Sequence, residues 1–241
     1  MTTITVYRSD DLDGIWQTLN ALKNCRLKDS WINAHPGKYA KHEVFVQYLW
    51  YEDIDEVMKN TFSEEEREEV VGYLKRNGKT KVLKKIYCFI NLLTKTLEVY
   101  RGPDNKTEEL VAILEQVLKV KFIQLSIKAE DLQKIYSQHS VELKQVMFKN
   151  IHGLMYDILR GKFLENNEKF KQYLQAFPEC LRVISFRPKI KFLNGDQKYQ
   201  VTLNGDKGTI KLSSNGIFHF RPRMEVRQIV FLIATTLGLI S

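Results

Sequence analysis

Residues 182–221 have the sequence RVISFRPKIKFLNGDQKYQVTLNGDKGTIKLSSNGIFHFR, in which short β-like segments alternate with Asn-Gly pairs. The pairs are Asn194-Gly195, Asn204-Gly205 and Asn215-Gly216. Both residue types tolerate a positive φ, which tight hairpin turns require. The pattern therefore predicts a four-stranded antiparallel β-meander, with strands at about 182–192, 198–203, 208–213 and 217–221.

An apolar segment follows the predicted meander. Val226, Ile229, Ile233 and Leu237 recur at helical spacing, so we expect a helix that closes the sheet. The most apolar part, 229–240, has twelve residues, whereas a bilayer span needs about 20. The segment is therefore predicted to be a buried helix, and no membrane association is expected.

The first 128 residues contain signals for both strands and helices. Ser63 and Glu66 form a capping box pattern, in which each side chain can bond the backbone N–H of the other. Residues 44–51 leave a strand and the start of a helix open as alternatives. The other predicted elements are a strand at 4–8, helices at 11–23 and 64–77, a hairpin at 84–101, a helix capped by Thr107 and a strand-like stretch at 121–127.

The segment 129–181 has apolar residues at helical spacing, and its longest predicted helix covers 141–159. The sequence thus predicts an α+β fold in three consecutive parts. These are an N-terminal mixed α/β domain (1–128), a helical middle segment (129–181) and a basic meander with its C-terminal helix (182–241).

The positive charge of the chain is unevenly distributed. Residues 1–120 carry 18 Lys and Arg against 19 Asp and Glu, while residues 121–241 carry 19 against 10. The formal net charge of +8 therefore comes from the second half. Such asymmetry favours an anionic partner, although a solubilising surface explains it almost as well.

The predicted meander places basic residues of this half on one face of the sheet. Residues alternate between the two faces of a strand, so Arg187, Lys189 and Lys191 would lie opposite the apolar Ile184 and Phe186. A sheet with one basic face can contact phosphates. The phenylalanines of the fourth strand would either stack on bases or pack beneath the last helix. The predicted nucleic-acid contacts are Arg187, Lys189, Lys191, Lys198, Lys211, Arg221 and Arg223.

Familiar catalytic and metal-binding motifs are absent from the sequence. Asp10, Asp11 and Asp13 would suit a two-metal site, but acids at this point also favour the N-terminus of the helix that follows. The three cysteines form no CxxC pair, and the histidines lack metal-ligand spacing. We therefore predict no catalytic residue, metal or cofactor.

These observations favour a cytoplasmic nucleic-acid-binding protein, an accessory or regulatory factor for DNA or RNA. The N-terminus has no signal-peptide pattern, and the cysteine usage fits a reducing compartment. One alternative is a protein-interaction or assembly module with a partner surface near Trp50 and Tyr51. Another is an enzyme that uses Asp10, Asp11, Asp13 and His42.

Overall fold

The computed structural model describes residues 1–12, 14–23, 25–38, 41–59, 63–100, 104–151, 153–192, 199–214 and 223–239. The chain forms two compact units that interleave along the sequence. Unit 1 comprises Met1–Asp10, Leu93–Arg101 and Phe122–Ser241. Unit 2 comprises Asp11–Leu92 and Gly102–Lys121.

The described residues form a mixed α+β structure with seven α-helices and eleven strands, and the strand pairs are antiparallel. The strands are β1 (Thr2–Arg8), β2 (Ser30–Pro36), β3 (Glu43–Asp53), β4 (Lys81–Asn91), β5 (Thr96–Tyr100), β6 (Ile123–Gln124), β7 (Ser140–Ile151), β8 (Leu154–Arg160), β9 (Leu181–Pro188), β10 (Tyr199–Asn204) and β11 (Thr209–Ser214). The helices are α1 (Ile15–Leu22), α2 (Ile54–Met58), α3 (Glu64–Arg76), α4 (Asp104–Leu118), α5 (Ala129–His139), α6 (Glu168–Ala176) and α7 (Arg223–Thr236).

Unit 1 is a two-layer structure of one sheet and three helices. Its strands follow the order β5-β1-β11-β10-β9-β7-β8, and β6 pairs with β1. Phe170 of α6 contacts Phe148 of the sheet at 6.2 Å between ring centroids and Tyr136 of α5 at 5.9 Å. Val230 of α7 faces Ile210 of β11 across a small apolar cavity. Helices α5, α6 and α7 therefore cover the same face of the sheet.

The four-stranded meander itself is not confirmed, although three of its predicted strands correspond to β9, β10 and β11, which form consecutive antiparallel pairs. The fourth predicted strand, 217–221, lies outside the described residues. The first strand ends at Pro188 instead of 192, and the sheet is larger than a meander because β1 and β7 extend it. The predicted C-terminal helix is confirmed as α7, whose apolar side is buried.

The predicted helix at 141–159 is wrong, because β7 and β8 occupy this range. The register of β7 against β9 contains bulges, including one between Leu143 and Gln145. These irregularities place Leu143, Val146, Phe148 and Ile151 in the core, at spacings of three, two and three residues. An apolar pattern with such spacing imitates a helix, although the backbone is extended.

A tight crossing holds the β10–β11 turn against β1 and against the segment after β6. The N–H of Val6 donates to the carbonyl of Gly208 at 3.0 Å, and the N–H of Ile127 donates to the carbonyl of Gly205 at 3.0 Å. Gly208 has a φ of +51°, and a Cβ placed on it would lie 2.1 Å from the carbonyl oxygen of Leu125. Only glycine fits this position, which fixes the end of the hairpin.

Unit 2 contains the hydrogen-bonded strands β2, β3 and β4 together with helices α1 to α4. The open question at residues 44–51 is settled, because they belong to β3. Helix α3 confirms the prediction at 64–77, including the reciprocal capping box of Ser63 and Glu66. Gly78 follows it with a φ of +74°, as expected for a helix stop.

Candidate nucleic-acid interface

The strand register of unit 1 aligns one polar residue on each of six neighbouring strands. Directly opposed residues in an antiparallel sheet share a face, so these side chains lie on the same side. They form what we call the polar row: Thr3, Lys211, Thr202, Ser185, Gln145 and Arg160, in order from β1 to β8. We call the side of the sheet that carries this row the polar face, and it lies opposite α5, α6 and α7.

Hydrogen bonds order the centre of the polar row. Ser185 is buried, and its hydroxyl shares a hydrogen bond of 2.8 Å with the hydroxyl of Thr202. The side-chain amide of Gln200 donates to the Ser185 hydroxyl at 2.6 Å. The side chains of Thr202 and Gln200 remain partly exposed. The row therefore presents pre-oriented hydroxyl and amide groups to solvent.

The polar face is predominantly cationic. Period-two alternation places four basic residues on it along β7, β8, β9 and β11: Lys149, Arg160, Arg187 and Lys211. Glu142 is the one acidic residue on the described strands of this face. Lys211 and Arg160 have no ion-pair partner among the described residues. Their charge is therefore available to an anionic ligand.

Two of the four cations have carboxylate neighbours. A guanidinium nitrogen of Arg187 lies 3.8 Å from an oxygen of Glu142, whose other cation neighbour is the ammonium of Lys144 at 3.7 Å. The ammonium of Lys149 lies 3.4 Å from Asp206. The contact of Lys149 with Asp206 joins two partly exposed side chains and is therefore weak. Glu142 is buried, but its single carboxylate lies between two cations, so it neutralises only part of the charge of Arg187 and Lys144.

An aromatic side chain lies beside these cations. Tyr156 of β8 is 56% exposed and is paired with Lys149 of β7 on the polar face. Ile158, the next residue on the same side of β8, separates Tyr156 from Arg160. Proteins that bind single-stranded nucleic acids use exposed aromatic rings to stack on bases and neighbouring cations to contact the backbone.

Of the seven residues predicted to contact nucleic acid, the five that the structure describes do not form one group. Arg187 and Lys211 lie on the polar face, whereas Lys189 and Lys191 lie beyond the end of β9. The ammonium of Lys189 donates to the carbonyl of Gln138 at 3.2 Å, and the carbonyl of Lys191 accepts from Gln228. Of the other three, Lys198 and Arg221 lie outside the described residues, and Arg223 starts α7 on the covered face.

Sequence reasoning missed most of the polar face, including Gln145, Lys149 and Arg160. Gln145 and Lys149 lie within the predicted helix 141–159 and Arg160 directly follows it, so the sequence pattern did not place them on one face with the strands of the meander. One available signal was Gly153, which has a φ of +74° in the short turn between β7 and β8. A glycine between two β-rich runs is typical of a hairpin.

A buried carboxyl group lies on the covered side of the same sheet. Glu98 of β5 is fully buried, and neither of its carboxyl oxygens has a hydrogen-bond partner in the described part of the chain. Burial raises the pKa of Glu98 to about 7, and the positive charge of Arg223 opposes this rise. Glu98 is thus not available to a ligand at the polar face, but it makes the stability of unit 1 sensitive to pH.

Two of the three acids considered for an enzymatic site, Asp10 and Asp11, are described, and Asp13 lies outside the described residues. Asp10 forms an ion pair with Arg8 at 2.7 Å, and helix α1 begins only at Ile15, so Asp10 and Asp11 do not lie in its first turn. Within the described ranges, no group of three or more His, Cys, Asp or Glu side chains could hold a metal ion.

A cavity of about 530 Å³ opens at the start of α5, on the helical side of unit 1. Its charged lining residues are Lys128 and Arg182 with Glu130, Glu179 and Asp206, so acids outnumber bases. The guanidinium of Arg182 is bound to Asp206 at 3.1 Å. The cavity is therefore less suited to a polyanion than the polar face.

Comparison with known proteins adds no relative to this picture. No protein-family model matches the chain, and no curated protein sequence matches it either. Among the helices that the structure describes, none has the length and hydropathy needed to cross a membrane. Function must therefore be argued from the site.

Proposed function

We propose that this chain is a nucleic-acid-binding protein and that the polar face of unit 1 contacts the sugar-phosphate backbone. The observation that carries the proposal is the polar row, which places a cation at β11 and another at β8 with hydroxyl and amide groups between them. Arg and Lys supply charge to phosphates, and Ser, Thr and Gln side chains supply additional hydrogen bonds.

The dimensions of the polar row suit a short stretch of nucleic acid. Six strands at a spacing of about 4.8 Å give a row about 24 Å long. At about 3.4 Å per nucleotide step, this corresponds to about seven nucleotides or base pairs. The ligand would cross the strands from Thr3 to Arg160, and Lys211 and Arg160 would hold it about 19 Å apart.

The predicted contacts outside the described residues belong to the same proposal. In the sequence, Lys198 directly precedes β10 and Arg221 lies two positions before the first residue of α7. A fourth meander strand at 217–221 would add Arg221 to the basic surface. The role of the protein as an accessory or regulatory factor, and its cytoplasmic location, are further parts of this proposal.

A charge-reversal experiment tests the polar face. Fluorescence anisotropy would measure the binding of labelled 20-mers of single-stranded DNA, duplex DNA and single-stranded RNA over a salt series. The double variant Lys211→Glu/Arg160→Glu should weaken the binding of every nucleic acid that the wild-type protein binds. Each lost phosphate contact should reduce the slope of log K against log salt concentration by about one. The expected change in slope for the double variant is therefore about two.

The matched control is Lys134→Glu/Lys171→Glu, which changes the charge equally on α5 and α6, the helices of the covered face. The proposal expects this control to keep nearly all of the wild-type affinity. Equal losses in both double variants would mean that net charge alone drives binding. Equal affinity of the wild-type protein and the polar-face variant would contradict the proposal.

A Tyr156 variant distinguishes binding of single-stranded nucleic acid from binding of duplex nucleic acid. Replacing Tyr156 by Ala should weaken single-stranded binding by about 1–3 kcal/mol if bases stack on the ring, and should leave duplex binding almost unchanged. Circular dichroism of each variant would confirm that the exposed substitutions leave the fold intact.

A further inference from the structure

Strand β8 leaves one edge of the unit 1 sheet without a partner strand in the described residues. The N–H of Gly161 donates to the carbonyl of Lys144 at 3.0 Å, which marks a hydrogen-bonded position between β7 and the end of β8. Such positions alternate along an antiparallel ladder. The backbone groups of Leu154, Tyr156, Ile158 and Arg160 therefore point away from β7, towards solvent.

The side chains of this edge are unusually apolar for an exposed strand. Leu154 is 53% exposed, Met155 72%, Tyr156 56% and Ile158 38%. Natural edge strands are commonly protected by proline, lysine or short length. β2, an edge strand of unit 2, shows such protection, because it ends in Pro36 and its Trp31 forms an isolated bridge to Arg26 on the side away from β3. β8 has neither proline nor lysine in its sequence LMYDILR.

The sequence of β8 is complementary to itself in the antiparallel direction. A two-fold axis at Asp157 would pair Tyr156 with Ile158 of the second copy, and Met155 with Leu159. Leu154 would then face Arg160, whose aliphatic stem can pack on it. This register uses all seven residues of the strand and pairs the outward backbone groups with each other. A shift by one residue would oppose outward and inward groups, and a shift by two would leave strand ends unpaired.

The residue on the axis is compatible with this pairing. Asp157 would face Asp157 of the second copy, and two carboxylates at this distance repel. Each of them already has a cation and a donor, because Lys169 lies 3.3 Å away and the hydroxyl of Tyr173 donates at 2.9 Å. The hydrogen bond from the Tyr173 hydroxyl, followed by the bond and charge of Lys169, holds the pKa of Asp157 below its ordinary value, and Lys169 compensates the carboxylate charge.

We infer that two copies of this chain associate through their β8 strands, in antiparallel pairing about a two-fold axis at Asp157. The two unit 1 sheets then continue into one another, and their polar faces lie on the same side. Association through β8 uses backbone hydrogen bonds and apolar side chains, so it does not depend on nucleic acid.

Light scattering after size exclusion tests the mass. The sample is treated with nuclease and separated at high salt, so that nucleic acid does not bridge copies. Since one chain has a mass of 28.3 kDa, the inference expects a particle of about twice this mass that dissociates on dilution. Tyr156→Lys/Ile158→Lys should give a monomer, and the matched variant Lys134→Glu/Lys171→Glu should remain a dimer. A wild-type monomer at high micromolar concentration, or a dimer that survives the β8 substitutions, would overturn the inference.

Cysteine cross-linking tests the register. In a background of Cys25→Ser/Cys180→Ser, Asp157→Cys should form a disulfide-linked dimer under mild oxidation, because directly opposed residues of a non-hydrogen-bonded pair lie about 4.5 Å apart between Cα atoms. Lys134→Cys on α5 is the control and should stay monomeric on a non-reducing gel. A dimer by light scattering without this cross-link would overturn the proposed register. A monomer would overturn the inference that two copies of this chain associate through β8.

Discussion

Replacement of Glu98 by Gln should remove a large part of the pH dependence of stability. Glu98 is buried without a hydrogen-bond partner in the described residues, and burial raises its pKa from 4.5 to about 7. Between these two values the native state keeps a proton that the unfolded chain releases. The free energy of unfolding therefore falls as the pH rises from about 4.5 to about 7, and is constant above that range with respect to this group.

The magnitude follows from the two pKa values. A difference of about 2.5 at 1.36 kcal/mol per pH unit gives a total loss of about 3 kcal/mol, of which about 2.5 kcal/mol falls between pH 5 and pH 8. Glutamine is neutral throughout, so Glu98→Gln should lack this loss. Because the comparison uses the pH dependence of each protein, any constant effect of the substitution cancels.

Urea unfolding at pH 5, 6, 7 and 8 would measure this difference. Glu130→Gln is a suitable control, because the side chain of Glu130 is 77% exposed. It should follow the wild-type protein across the series. If wild type and Glu98→Gln lose the same free energy between pH 5 and pH 8, then the native environment of Glu98 does not retain a proton and the reasoning fails.

Two further predictions concern the sheet of unit 1. Gly208→Ala should lower the free energy of unfolding by about 3 kcal/mol or more, because a Cβ would lie 2.1 Å from the carbonyl oxygen of Leu125 at a positive φ. Gly78→Ala, at a φ of +74° with open space around it, should lower the free energy of unfolding by only about 1 kcal/mol. Equal losses for Gly208→Ala and Gly78→Ala in urea unfolding would contradict the close approach of the β10–β11 turn to Leu125. Ser185→Ala should cost about 1–2 kcal/mol, because it deprives Thr202 and Gln200 of a buried partner. Ser137→Ala on the exposed side of α5 should be nearly neutral, and a neutral Ser185→Ala would show that the centre of the polar row is not ordered in this way.

The elements predicted correctly are those whose signals are local. The capping box of Ser63 and Glu66 fixes the start of α3, and Asn204-Gly205 marks the β10–β11 turn, without reference to distant residues. The apolar stripe around Ile229 and Ile233 identifies α7. In each case, the physical cause lies within a few residues of the element, so the sequence contains it.

The parts that failed depend on pairing between distant segments. The core positions Leu143 and Val146 are three apart because of a bulge against β9, which no local pattern reveals. The polar row has the same origin, because Thr3 and Arg160 join one surface only through four intervening strands. The charge asymmetry pointed to the second half of the chain but could not select Arg160 over Lys189.

The central claim is that nucleic acid lies on the polar face, and a titration followed by amide NMR tests it most directly. A deuterated, isotope-labelled sample would be titrated with the tightest-binding 20-mer from the anisotropy series. We expect the largest chemical-shift changes at Lys211, Thr202, Gln145 and Arg160, with little change at the exposed positions of α5 and α6. Changes concentrated on those helices or in unit 2, with the polar row unaffected, would contradict the account.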